Sequence, residues 1–260
     1  MAGVIPRVIH QTWKGPTLPA RYRAFADTWR KAHPGWQWRL WTDADNARFV
    51  AQEFPELLAL YLGYPQQIQR VDMIRYLLLY RLGGLYVDLD FECFRSIAPL
   101  LQGQDCVLSL EADANNTVHR TRRIVSNAFM AAVPGHPLFA AVIEDLQTHR
   151  SSQTIPDRIV LDTTGPMMLT RVLDRLGTDA AVSVLGAEHL FPLSLAEADQ
   201  MGTAGPGAPI GADIRAKLEP AFGMHWHDGT WWRPRPGTMP GRRGPLRTLR
   251  RWLASARGTR

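Results

Sequence analysis

The run Arg70-Val71-Asp72-Met73-Ile74-Arg75-Tyr76-Leu77-Leu78-Leu79-Tyr80-Arg81-Leu82-Gly83-Gly84-Leu85-Tyr86-Val87-Asp88-Leu89-Asp90 passes from a helical pattern to a strand and ends in two carboxylates. Residues 66–82 read as a helix, and Gly83-Gly84 stands where a helix-terminating glycine is expected. Leu85-Tyr86-Val87 is then a short apolar strand. Asp72 and Arg75, three apart, leave one face of the helix. A charged pair inside so apolar a helix is either a local ion pair or a ligand contact, Arg75 meeting an anion and Asp72 accepting from hydroxyls. Asp88 and Asp90 flank an inward-pointing Leu89, so both carboxylates leave the strand end on one side. They repel each other unless a cation sits between them. Magnesium or manganese takes such oxygen ligands and leaves sites open for diphosphate oxygens. A lone Asp-X-Asp is often just solvated acid at a turn; the glycines, strand and Asp/Arg helix directly upstream point to a site.

Working outward, strand and helix patterns alternate. Residues 4–9 predict a strand that tolerates Pro6 at an edge or at its start, and 20–31 a helix ended by His33-Pro34-Gly35. Trp36, Trp38 and Leu40 alternate with Gln37 and Arg39, the period of a strand. Thr42 or Asp43 offers an N-cap for a helix to about Glu53. Downstream, 106–110 and 181–185 predict strands, and 137–147 and 166–176 predict helices, each opened by a proline. Residues 201–211 hold four glycines and two prolines and predict a loop, placed late enough to serve as a lid. The alternation predicts an α/β fold, one Rossmann-like domain with a mainly parallel sheet, in which ligands sit beyond the carboxyl ends of strands.

Composition narrows the class. The chain has 260 residues, 45% hydrophobic and 21% charged, with nine tryptophans, which excludes a disordered or coiled-coil protein. Two cysteines, Cys93 and Cys106, exclude a disulfide scaffold. No apolar run reaches the roughly 20 residues that cross a bilayer, and no signal peptide is visible at the start, so the expected location is cytoplasmic. The net charge of +6 is uneven: nine arginines and no acid follow Gly229, leaving 21 basic against 24 acidic residues before them. Basicity confined to a tail does not describe a nucleic-acid-binding face. The expected organisation is therefore a domain at 1–232 and an Arg-rich tail at 233–260. In the tail, Leu246, Leu249, Trp252 and Leu253 form an apolar stripe among arginines, either a peripheral contact with the inner face of a membrane or a solvated tail.

The central segment resembles the Asp-X-Asp region of the family 32 glycosyltransferases, which include yeast Golgi mannosyltransferases, and of clostridial glucosylating toxins. Ile5-Pro6-Arg7-Val8-Ile9-His10-Gln11-Thr12-Trp13 is similar to that family's first strand. Asn127-Ala128-Phe129, Gly135-His136-Pro137, Thr164-Gly165-Pro166 and His225-Trp226-His227-Asp228-Gly229-Thr230-Trp231 are similar to its later blocks, in order. The resemblance spans about residues 5–231 and implies a glycosyltransferase fold of the A type (GT-A) and a retaining hexosyl transfer. The donor would be a UDP- or GDP-sugar, the ion Mn2+ or Mg2+, and the acceptor a glycan, glycolipid or other hydroxyl compound. It implies that Asp90 ligates the metal directly and that Asp88 reaches metal and donor. Asp72 and Arg75 would hold sugar hydroxyls, Tyr86 would lie against the nucleoside, Trp13 near the base, and His225 would complete the metal shell. Thr230 stands where serine is commoner, and the Trp226-His227 pair leaves His225 and His227 as alternatives.

Other residues have plainer readings. Asn127 and His136 are candidates for donor or acceptor contacts, and Asp162 for sugar hydroxyls. Trp36, Trp38 and Trp41 read as packing, and His33, His119, His149 and His189 as structural or exposed. Two other functions compete. A nucleotide-sugar nucleotidyltransferase would carry a glycine-rich phosphate loop after its first strand, where His10-Gln11-Thr12-Trp13 stands instead. A non-catalytic basic membrane- or nucleic-acid-binding module would make Asp88 and Asp90 dispensable. Richness in arginine, alanine and proline associates the chain with a GC-rich bacterial genome, and so with surface polysaccharide synthesis.

Overall fold

The computed structural model describes residues 3–113, 122–203 and 210–229. Its main sheet has the strand order β2-β1-β3-β6-β5-β7, from β1 (Val8–Trp13), β2 (Gln37–Thr42), β3 (Gly84–Val87), β5 (Cys106–Leu110), β6 (Val125–Ala132) and β7 (Val182–Leu185). Parallel pairing joins β1 to β2 and β3, and β5 to β7, while β6 runs antiparallel to β3 and β5. The sheet is thus mainly parallel, as the alternation predicts, with one reversed strand inside it. A two-stranded ribbon pairs β4 (Phe91–Cys93) with β8 (Gly223–His225).

Two corrections concern the first strand. β1 begins at Val8 rather than Val4 and runs through Trp13; with partners on both sides it is an inner strand, so Pro6 precedes it instead of lying within an edge. The helices α1 (Ala20–Ala32) and α2 (Asp43–Glu53) follow the expected order, an unpredicted α3 (Leu58–Gly63) comes next, and α4 (Gln67–Leu82), Pro137–Thr148 and Pro166–Leu176 again match expectation. Thr42 is the N-cap of α2, in a reciprocal capping box with Asp45. The predicted loop at 201–211 begins too early, because the helix Leu195–Thr203 extends into it. Residues 204–209 and the tail at 233–260 lie outside the described residues.

Glycine placement fixes the α4–β3 junction. Gly83 and Gly84 have φ of 64° and 95°, values that side chains rarely adopt. A Cβ at Gly84 would stand 2.8 Å from the Val8 carbonyl oxygen, so β1 and β3 could not approach. Buried His10 seals the seam: Trp41 Nε1 donates to its Nδ1 at 3.1 Å, and its Nε2 lies 3.0 Å from the Gly83 carbonyl. Since Nδ1 accepts, Nε2 carries the proton, and burial lowers the His10 pKa to about 4. One apolar cluster packs Ile74, Leu77 and Leu78 of α4 with Phe139 and Leu169 on one face of the sheet, and another packs Trp29 of α1 with Phe91 and Phe129 on the other.

Candidate active site

Strand direction assembles the site. Because β6 is reversed, its first residues lie at the sheet edge where β3 ends, and the Asp88 backbone N–H donates to the Ala128 carbonyl at 3.0 Å. Asn127 thereby faces α4. Its Nδ2 donates to Asp72 Oδ1 at 3.1 Å and lies 3.0 Å from the Tyr76 hydroxyl. Thr164 donates to Asp72 Oδ2 at 2.9 Å, and Arg75 Nη2 stands 3.1 Å from Asp72 Oδ1. Arg75 also donates to the Asn127 carbonyl at 2.8 Å and lies 3.4 Å from Asp88 Oδ1.

This half of the site is dry. Burial works against the Arg75 charge, but Asp88 and Asp72 outweigh it and hold the guanidinium more firmly charged than usual. Burial pushes the Asp72 carboxyl up to about 7 against the pull of Arg75, Thr164 and Asn127. All three neighbours donate, so the arrangement suits an ionised Asp72.

On the other half, the chain turns just past β3 and Leu89 packs inward against Leu18 and Ala26. The ribbon pairing of Phe91 with His225 then carries the histidine onto Asp90. His225 Nε2 lies 3.1 Å from Asp90 Oδ1, and the Asp228 backbone N–H donates to Oδ2 at 2.9 Å. One ligand atom from each of Asp88, Asp90 and His225 can be chosen so that all lie within 4.8 Å of one another. Burial would raise the Asp90 carboxyl, but the charge and hydrogen bond of His225 hold it well below the usual range. Burial would lower His225, yet Asp90 raises it to about 9. Asp88, pushed up by burial and by Asp90, is relieved by Arg75 and His225. Two carboxylates and an imidazole at this spacing fit a divalent ion that accepts oxygen and nitrogen donors, and buried His225 Nδ1 has no hydrogen-bond partner among the described residues.

Several expected roles change. Tyr86 is fully buried: its hydroxyl donates to Asp88 Oδ1 at 2.8 Å and the Arg75 guanidinium covers its ring, so no face is left for a nucleoside. Trp13 does keep partial exposure at the site's sheet edge, beside Tyr22. Asp162 is not brought to the cluster; Arg171, Ser151 and His149 take up its carboxylate, and Thr164, two residues on, reaches Asp72 instead. His136 caps the helix Pro137–Thr148 rather than facing a ligand. Asn127 supports Asp72 from a buried position, and the His227 ring lies tilted beside His225 with ring centroids 4.2 Å apart. His33 and Trp41 are buried packing residues, as expected; His119 lies outside the described residues. Gln11, which donates to the Asp88 carbonyl at 3.3 Å, Tyr76, Arg21 and the contact role of Thr164 are not marked in the sequence, since each is recognised only by long-range contact.

A family model described as a glycosyltransferase sugar-binding region containing DXD motif matches residues 19–108. The chain is 34% identical over 168 residues to inositol phosphoceramide mannosyltransferase 2 of Schizosaccharomyces pombe, covering 64% of this chain and 46% of that protein. It is 33% identical over 169 residues to mannosyl phosphorylinositol ceramide synthase CSH1 of Saccharomyces cerevisiae, covering 65% and 42%. The chain spans less than half the length of these two relatives. Among solved structures, PaToxG Glycosyltransferase superposes with a TM-score of 0.51 at 16% identity, covering 83% of this chain and 84% of that one. The fold is that of the A-type glycosyltransferases, and residues 19–108 are similar to the Asp-X-Asp sugar-binding region that this model describes.

Proposed function

We propose that the chain is a retaining glycosyltransferase that moves a hexose from a UDP- or GDP-sugar to a hydroxyl acceptor with the help of Mn2+ or Mg2+. The carrying observation is the convergence of Asp88, Asp90 and His225 beside the buried Asp72–Arg75 pair. Asp88, Asp90 and His225 would hold the ion, which supplies positive charge against the diphosphate as the sugar–phosphate bond breaks. Arg75, charged and fixed by four carbonyl or carboxylate partners, adds a second cation without reorganisation. Asp72, whose oxygens are taken up by Arg75, Asn127 and Thr164, is buried and holds that guanidinium in place instead of meeting sugar hydroxyls as the resemblance implies, and the partly exposed Trp13 offers a face to the base. Asp72 and Asp88 are both tied to Arg75, which disfavours either as a free nucleophile. That supports attack from the face the diphosphate leaves, its phosphate oxygen taking the acceptor's proton.

The relatives' names carry mannose and an inositol phosphoceramide acceptor. They favour a hexose such as mannose, and a glycolipid acceptor over the surface polysaccharide that composition alone associates. Among the described residues no helix is long and apolar enough to cross a membrane. We assign residues 1–232 to one catalytic domain, cytoplasmic, with the 233–260 tail meeting an anionic membrane surface. The test is turnover of a panel of UDP- and GDP-hexoses with Mn2+, and the anomeric configuration of the transferred sugar read by NMR. Turnover of one donor with retained configuration is expected; an inverted product refutes the retaining assignment, and no turnover of any donor refutes the enzyme.

A further inference from the structure

His225 meets Asp90 across 135 positions of sequence, and β8, which brings it there, is three residues long. So short a strand is a weak holder on its own. Trp226 adds a backbone N–H bond to the Asp90 carbonyl at 2.9 Å and an indole bond to Glu92 at 3.2 Å, and the grip on the Asp90 carboxylate itself comes from Asp228. Its backbone N–H occupies Asp90 Oδ2, the oxygen that His225 leaves open. Its carboxylate is held by Arg21 of α1: Nε donates to Oδ2 and Nη2 to Oδ1, both at 3.0 Å. Tyr22 hydrogen-bonds to the same carboxylate. The Arg21 guanidinium also covers the rings of Phe25 and Trp226, at 5.2 and 5.5 Å from their centroids. His227, between the two contacts, is left-handed at φ 50°, a conformation that persists when its surroundings enforce it. That turn directs the Asp228 N–H back onto Asp90.

We propose that Arg21, which offers no ligand atom of its own, is a positioning residue for the metal centre and acts through Asp228. By clamping Asp228 it orients Asp90 and keeps the His225 segment against Asp88. The inference rests on the metal-dependent reading above and adds a residue from the opposite end of the chain to it. A fork of two parallel hydrogen bonds fixes both distance and plane, which a lysine at this position would not do.

The experiment titrates Mn2+ alone into the full chain and follows free Mn2+ by its electron paramagnetic resonance signal. Arg21→Met keeps an unbranched stem over Phe25 and Trp226 and removes both hydrogen bonds. Its Mn2+ Kd should rise about 10-fold or more, the usual cost of removing a partner of a metal ligand, while Arg21→Lys falls between it and wild type. Combining Arg21→Met with Asp228→Asn should weaken binding no further than the first change alone, because the two act as one unit. Wild-type affinity in Arg21→Met, or additive losses in the double variant, overturns the proposal. If Arg21→Met does not fold, Asp228→Asn answers the same question, since it keeps the backbone N–H and weakens the fork; an unchanged Kd there also overturns it. Wild-type chain that binds no Mn2+, or Asp90→Ala that binds it as well as wild type, instead refutes the metal-dependent reading itself.

Discussion

Asp72 and Arg75 keep 5% and 3% of their side-chain surface exposed, whereas Asp90 and Asp88 keep 17% and 24%. Both acid groups lie at one sheet edge, yet their charges are balanced by different means. Around Asp72 the donors are all built in: Arg75, Asn127 and Thr164. Around Asp88 and Asp90 the balance rests on Arg75 from one side and on a protonated His225 from the other. The first arrangement is permanent and dry. The second is partly exposed, and on the metal-dependent reading a dication there would supply the positive charge that His225 otherwise brings to Asp90.

Breaking the open half should have the largest effect on activity. Asp90→Ala is expected to cut donor turnover by at least about 100-fold and to remove Mn2+ binding, in a chain that still folds. Turnover that survives this change, or excess chelator, would show the cation to be dispensable. Breaking the dry half should be felt first in stability. Arg75 is buried within α4 and not on an open helix face. Arg75→Ala leaves Asp72 and Asp88 without their buried cation, and a loss of about 3–5 kcal/mol is expected in denaturant unfolding. A loss under about 1 kcal/mol would mean that the pair is not a structural unit.

The proton in the open half gives a pH test. The folded pKa of His225, about 9, lies above the ordinary 6.5, so its contribution is complete below pH 6.5 and disappears as pH rises through 9. In metal-free buffer the wild type should lose up to roughly 3 kcal/mol over that window relative to His225→Gln. Parallel stability curves for the two proteins would refute the charged pair. The smallest effect is expected at Tyr86, which touches both halves without facing solvent. Tyr86→Phe removes hydrogen bonds to Asp88 and Thr12 and should cost about 1 kcal/mol, leaving the donor KM unchanged. A marked rise in KM would return Tyr86 to the nucleoside.

Local pattern made the dry half and its helix legible. The apolar period over α4, the Gly83-Gly84 stop and the Asp-X-Asp at the end of β3 are all continuous in sequence, and the structure keeps each of them. β6 escaped notice because Val125–Ala132 is buried on both faces. A strand covered twice loses the alternation that marks a half-exposed one. The error over Tyr86 has the same origin: strand period separates two faces but does not say that another side chain covers one. His225 could be named only through a resemblance, since nothing in residues 223–229 announces a partner at position 90. Arg21 carries no signal of its own, being one of three arginines on the amphipathic α1.

The β4–β8 ribbon also has a meaning in time. At about 5–20 residues per second of synthesis, roughly 7–27 s separate the emergence of Asp90 from that of His225. Throughout that interval the growing chain displays an acidic pair without its histidine, while α4, β3 and the Gly83-Gly84 junction have already emerged. On the metal-dependent reading proposed above, the three-residue ligand set is therefore complete only once His225 has emerged, and a ribosome stalled before residue 223 yields a chain that has the fold's central helix and strand but lacks that histidine.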